Sequence, residues 1–514
     1  MLQVAASRSN LAFLRAGVTP DIACIRADLS AIDHGYARIE AQLDILVVQL
    51  ARVMGQRADV ERQRAVSIAM LSPVRRLPVE ILSKIFELSL PYDWEQKFLG
   101  SRGPMFAEVC KVWRTVAIGM PRLWNTIGID YRTASKYVRN AFNLCMARCG
   151  QGPLRLRLAF HCQWARCHLI PEVWTTLCSQ SHRWSALTVE DLYPRTAREL
   201  HWTWPSRFLI LSRLELVGDC SVSPPLQIFS DAPVTSLKLQ YGFHLREHLA
   251  LPSTWKITNL EINCRNDLRS FLPLLWDCRL SLQHLDVGTV ANAEDFPASV
   301  VDGIMLPVLG SAKLHGDACR FLTYMEIPRL RLLDLCGPCE GGIICMNKPL
   351  KEVAERIYTS RGWESLRWLT LTDLTNATGA VIQCLDHLPT LQSLDIENRA
   401  AHDWGEHKHI SKTLLRALVR VPTNAASMKR LPRLRRLGLL WRMAEGKACD
   451  TVYLVEALLR SRSTEDTYEG ENLGRIEWFA TDLPGDWSVS GLIKTYFYDV
   501  HAPRHSLETQ MLFV

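Results

Sequence analysis

The chain has 514 residues, 48% hydrophobic and 22% charged, with a formal net charge of +7. That supplies the core of a globular protein of roughly two to four domains, and a charge so mild, with no long interleaving of basic and aromatic residues, argues against nucleic acid as a partner. No apolar run reaches the ~18 residues of a membrane span, and 16 scattered cysteines lack the spacing of a disulfide scaffold. With no secretory leader legible, the simplest expectation is reduced thiols and an intracellular location, cytoplasmic or nuclear.

Residues 1–27 carry weak pattern and read as a loosely ordered tail. A helix is expected over 28–70, where Ile32, Tyr36, Ile39, Leu43, Leu46, Leu50 and Val53 alternate by four and three. That is an a/d seam of about three heptads, fading where Arg57 and Arg64 fall on seam positions. The pattern suits two arrangements: a helix laid on its own chain, or a coiled coil, giving self-association through 32–53.

Ser72–Ile129 follows, with two short amphipathic helices. In the first, Leu77, Ile81, Ile85 and Leu88 recur at helical spacing, flanked by Leu82 and Phe86; Pro78 suits the first turn and Glu80 its positive end. In the second, Phe106, Val109, Cys110, Trp113, Val116 and Ala117 form one stripe, stopped by Gly119 and Pro121. Leu123 and Trp124 then lead into Ile127 and Ile129. A unit of this size buries only roughly 60% of its unfolded surface, so part of the apolar stripe is expected to meet another surface.

The phrases LPVEILSKIF, VCKVWRTVA and PRLW, in that order and spacing, closely resemble the F-box of basidiomycete fungal F-box-like families. The resemblance covers residues 68–130, and the module is placed at 71–130. It implies a three-helix module that docks on the Skp adaptor of a cullin–RING ubiquitin ligase. The docking residues it implies are Leu77, Pro78, Ile81, Leu82, Ile85 and Phe86, with Val109, Cys110, Trp113 and Trp124 joining them or holding a small core. The long polar loop Tyr92–Gly103 departs from the plainest form of the pattern.

Beyond a connecting helix at Ala134–Ala147 and a strand at Pro153–Leu158, one phrase returns through 131–514: apolar, two residues, apolar, one residue, apolar. It runs from Trp184-Leu187-Val189, Leu211-Leu214-Leu216, Val234-Leu237-Leu239 and Ile257-Leu260-Ile262 through Leu282-Leu285-Val287, Leu309-Ala312-Leu314 and Leu330-Leu333-Leu335. Later copies are Leu366-Leu369-Leu371, Leu391-Leu394-Ile396, Leu434-Leu437-Leu439 and, more weakly, Leu473-Ile476-Trp478. This resembles the strand signature of leucine-rich repeats, whose period is about 20–29 residues. The spacing widens in the later copies, and the Asn or Cys expected after each strand is mostly missing. Helices are expected between strands at Ser270–Trp276, Gly379–His387, Ile410–Val421 and Thr451–Arg460.

The expected fold is therefore α/β: an N-terminal helix, a small three-helix F-box module, and an irregular leucine-rich-repeat solenoid (an α/β horseshoe). A different α/β layout reusing the strand pattern is the alternative. Residues flanking the inward positions would form a recognition face for an unknown target protein: Arg213, Glu215, Lys238, Glu261, Asp286, Lys313, Asp334 and Asp395.

Catalytic signals are weak. Cys336-Gly337-Pro338-Cys339 has the thioredoxin redox tetrapeptide, but Glu340-Gly341-Gly342 follows as a turn where a helix N-terminus would be needed. Cys319, Cys336, Cys339 and Cys345 contain one close pair where a zinc site wants two. Cys162, Cys167 and His168, like His402, Glu406, His407 and His409, are looser still. The basic run Lys429, Arg430, Arg433, Arg435, Arg436 and Arg442 reads as a solvated edge. No metal, cofactor, nucleic acid or membrane is expected, and no catalytic residue is assigned. The sequence points to a substrate receptor of a ubiquitin ligase; a leucine-rich-repeat scaffold without ligase association is the alternative, and a thiol oxidoreductase the third class.

Overall fold

A computed structural model describes residues 15–17, 21–90, 106–130, 135–160, 171–191, 204–205, 207–218, 226–240, 250–264, 271–289, 303–337, 363–372, 378–397, 410–441, 451–464, 466–481 and 494–497. The chain divides into two compact units, Met1–Leu88 and Ser89–Val514.

The first unit is dominated by helix α1, Ile22–Leu71, 50 residues long and so about 75 Å from end to end. It starts inside the stretch expected to be tail. The Asp21 carboxylate accepts from the Ala23 N–H at 3.0 Å and caps its N-terminus. No proline interrupts it, and Arg57–Glu61 and Asp59–Arg62 add side-chain pairs at helical spacing. It ends at Ser72 because the residue before Pro73 is pushed out of helical geometry. None of its residues is buried. A 3-10 turn, Pro73–Arg76, leads to helix α2, Val79–Leu88, in which Leu82 and Phe86 are buried one turn apart.

In the second unit, helix α3, Lys111–Ile118, is capped by the Cys110 sulfur, which accepts from the Trp113 N–H at 3.5 Å. Val116 and Ala117 are buried, as are Leu123 and Trp124 beyond the helix. The Trp124 indole N–H donates to the Ala117 carbonyl at 2.9 Å, and the Arg148 guanidinium lies 4.5 Å above the Trp124 ring.

Fourteen of the described strands form one open sheet, every pair parallel and every strand beside its predecessor in that sheet, from Thr126–Asp130 to Lys494–Phe497. Two small pairs lie apart from it: Ile304–Met305 with Met325–Glu326, and Asp466–Tyr468 with Glu471–Leu473. Within the sheet the register is unbroken from Ala186 to Thr481, with one irregularity between Leu154 and Arg155. Parallel neighbours require a crossover, and the expected helices supply several of them, as Ser135–Arg148, Leu272–Cys278, Thr378–Asp386, Lys412–Leu418 and Val452–Ser461.

The recurring phrase explains the core. Its first apolar residues, such as Leu211, Val234, Ile257, Leu282 and Leu366, are completely buried, and the second and third, such as Leu237 and Leu239, nearly so. They form three apolar rows behind the sheet. Just ahead of each strand a second regularity appears. Ser212, Thr235, Thr258, Gln283, Gly310 and Arg331 each donate their N–H to the carbonyl of the preceding one, beginning at Ser185, at 2.8–3.0 Å. That ladder satisfies backbone groups which would otherwise be stranded at the turn into each strand.

Two features differ from the sequence reading. Trp124-Ile127-Ile129 is itself a copy of the phrase, all three residues buried, and its strand is the first of the sheet. At the other end the weak copy sits three residues late. The strand is Trp478–Thr481, the buried residues are Ile476, Phe479 and Thr481, and Trp478 pairs in register with Arg436, on the outward side. A buried threonine at the last core position hid this copy from a pattern that asks for apolar residues.

Candidate interaction surfaces

Helix α2 has two apolar faces of opposite fate. Leu82 and Phe86 are buried and hold the fold, leaving Ile81 (48% exposed), Ile85 (36%) and Leu88 as an outward stripe with Pro78, beside a half-buried Leu77. Spacing by three and four places these residues on one side. In the second unit, Val109 is exposed, Cys110 and Trp113 are half-buried, and Trp124 is buried. Of the residues expected to dock an adaptor, Leu82, Phe86 and Trp124 therefore have their surface already covered within this chain. The loop Tyr92–Gly103 lies outside the described residues.

One outward row of the sheet contains seven of the eight residues expected to read a target, and Arg213 stands in the row beside it. Through consecutive strands run Arg157, Thr188, Glu215, Lys238, Glu261, Asp286, Lys313, Asp334, Thr370 and Asp395, each in register with the next. Neighbouring strands lie about 4.8 Å apart, close enough for the charges to pair. Arg213 meets Glu215 at 2.5 Å, Lys238 meets Glu261 at 2.6 Å, and Asp286 lies 4.0 Å from Lys313 and 3.4 Å from the His315 ring. Arg157 pairs with Glu190. The first half of this face is thus a ladder of ion pairs made within the sheet.

The second half is different. Burial pushes the Asp395 carboxyl up to about 6, with Arg436 opposing the rise and Asp334 and Glu397 adding to it. Gly438 lies beside Asp395 in the register, and a β-carbon there would sit 2.1 Å from the Asp395 Oδ1, so any larger residue would push that carboxylate out of its present position. One row over, the Arg436 guanidinium lies 4.8 Å from the centre of the Trp478 ring. That contact was missed because the phrase placed Trp478 inward; shifting it onto Ile476-Phe479-Thr481 would have found it.

The basic run is dispersed among partners. Lys429 meets Glu469 at 2.7 Å, Arg430 meets Asp386 at 2.6 Å, and Arg435 lies 3.5 Å from Glu477; Arg442 lies outside the described residues. A polar cleft of about 770 Å³ is lined by both signs of charge, including Arg433, Arg435, Asp466 and Glu471.

Cys336 is buried at the end of its strand, and the Gly337 N–H beside it donates to the Thr372 carbonyl at 2.7 Å. A buried sulfur is poorly placed to attack a disulfide. Burial also raises the thiols of Cys278 and Cys384 to about 12, keeping them protonated. Cys319 is buried and donates to the Leu314 carbonyl. Cys339 and Cys345 lie outside the described residues, as do Cys162, Cys167, His168, His402, Glu406, His407 and His409. Among the described residues no three His, Cys, Asp or Glu side chains converge as a metal set, and no helix is long and apolar enough to cross a membrane.

No protein-family model matches this chain, and no curated protein matches it.

Proposed function

We propose that this chain is a non-catalytic receptor, with α2 as its adaptor-docking helix and the outward sheet face as its target-reading surface. The adaptor is the Skp subunit of a cullin–RING ubiquitin ligase, and the parallel sheet belongs to an irregular leucine-rich-repeat solenoid. The reading rests on the F-box-like phrases. The observation that carries it is the exposed stripe Pro78, Ile81, Ile85 and Leu88, apolar surface on a helix whose other face already anchors the fold. Exposed apolar patches of this kind mark contact sites. The chemistry of ubiquitin transfer would come from the ligase, and the receptor's contribution would be proximity.

Solenoid strands suit the second role. Each repeat buries its apolar side chains against its neighbours and leaves a continuous polar face for a ligand. On this face the ion pairs set a fixed pattern of charge, and a target segment of the wrong register would meet like charges.

The experiment is direct binding of the purified full-length chain to a purified Skp-type adaptor by titration calorimetry. Saturable one-to-one binding in the micromolar range or tighter is expected. Absence of binding overturns the ligase assignment and favours the alternative, a leucine-rich-repeat scaffold acting without a ligase.

A further inference from the structure

Helix α1 extends the heptad seam beyond its legible stretch. Because the helix begins at Ile22, three residues ahead of Ile32 join it, Ile22, Ile25 and Leu29, and the pattern runs without a break from Ile22 to Val53. Its a positions are Ile22, Leu29, Tyr36, Leu43 and Leu50. Its d positions are Ile25, Ile32, Ile39, Leu46 and Val53. All but the half-buried Ile25 are exposed. A continuous apolar seam on a helix with no buried residue needs a covering surface, and a heptad seam is complementary to another copy of itself.

We infer that four copies of this chain associate through Ile22–Val53 as a parallel helical bundle. The number comes from the kind of residue at each layer. Two-stranded coils favour β-branched residues at a and leucine at d; leucine at a with isoleucine at d shifts the preference toward larger bundles. Here leucine holds three of the five a positions and β-branched residues hold four of the five d positions. The flanks agree. A two-stranded coil is edged by salt bridges between a g residue and the e residue five positions on in its partner. Those pairs here are Asp21 with Arg26 at the helix cap, which attract, Asp28 with Asp33, which repel, and Gly35 with Glu40, Gln42 with Val47 and Gln49 with Met54, none of which has two charges to pair. In a bundle each helix touches two neighbours, so apolar Val47 and Met54 at e fall within the buried face. Beyond Val53 the a positions are Arg57 and Arg64, with Val60 alone at d between them, and the arginine charges would meet across the axis, so the bundle ends there.

The test is sedimentation equilibrium of the full-length chain at micromolar concentration. A mass four times the 58.5 kDa chain is expected; a mass of one, two or three chains overturns the inference. Leu43→Glu with Leu50→Glu should give a single-chain mass with the thermal melting of the remainder unchanged, since both side chains are exposed in the isolated chain. Persistence of four chains in that variant also overturns the inference. Exchanging the layers, with isoleucine at Leu29, Leu43 and Leu50 and leucine at Ile32 and Ile39, restores the two-stranded pattern and should halve the mass. A variant still at four chains refutes the layer argument.

Discussion

The two faces of α2 should separate binding from stability. On the outward face, Ile81→Asp with Ile85→Asp replaces residues that are 48% and 36% exposed, so each change should cost the fold about 0.5 kcal/mol or less. At an apolar docking contact the same carboxylates would be buried without partners, costing at least ~2 kcal/mol, or roughly thirtyfold in affinity for the adaptor. On the inward face, Phe86 is 0% exposed, and Phe86→Ala should cost about 3–5 kcal/mol through lost burial and the cavity left behind. Calorimetric titration with the adaptor reads the first effect; denaturant unfolding followed by helical circular dichroism reads the second. The expected pattern is a double dissociation, with the isoleucine pair losing adaptor affinity at wild-type stability and Phe86→Ala losing stability. Unchanged affinity in the isoleucine variant would refute the docking assignment. A Phe86→Ala chain as stable as wild type would refute the division of α2 into two faces.

Three further outcomes are expected. Arg462 is fully buried and donates to the carbonyls of Leu418, Arg430 and Leu431 at 2.9–3.1 Å, so Arg462→Met should orphan three acceptors and lower stability by about 3 kcal/mol; hydrogen exchange should quicken across 412–462, and unchanged exchange there would contradict the role. Because the folded-state pKa of Asp395 is raised to about 6, its protonated form favours folding: the contribution is full below about pH 4 and is lost as pH rises through 6. Asp395→Asn should remove that fall, worth at most ~3 kcal/mol and less after solvent screening, and melting curves between pH 4 and 7 that stay parallel to wild type would argue against it. Glu215→Lys with Glu261→Lys reverses the sheet's own pairs with Arg213 and Lys238; it should keep adaptor binding while losing most co-purifying targets, and an unchanged set of proximity-labelled proteins would move target recognition off this face.

The sheet was legible because its core is periodic. An apolar residue at the first, fourth and sixth places of each phrase survives any change of loop length, so Leu237, Leu260 and Leu369 announce their strands and their inward direction without reference to neighbours. The pattern failed where a polar residue took a core place, as Thr481 does, and where a copy hid inside a segment read for another purpose, as Trp124-Ile127-Ile129 does. The apolar stripe of α2 was equally visible, but its division was not: side chains spaced by three and four share one broad face, and only packing covers Leu82 and Phe86 while leaving Ile81 and Ile85 in solvent. The same holds for charge. Sequence supplied the alternation that turns Lys238 and Glu261 outward, and the parallel register alone decided that they pair with each other, because a pair across strands depends on which residue stands about 4.8 Å away. Arg462 was beyond reach from either pattern. Its burial depends on three carbonyls from two separate segments, Leu418 and Arg430–Leu431, converging on one guanidinium, a condition set by tertiary structure alone.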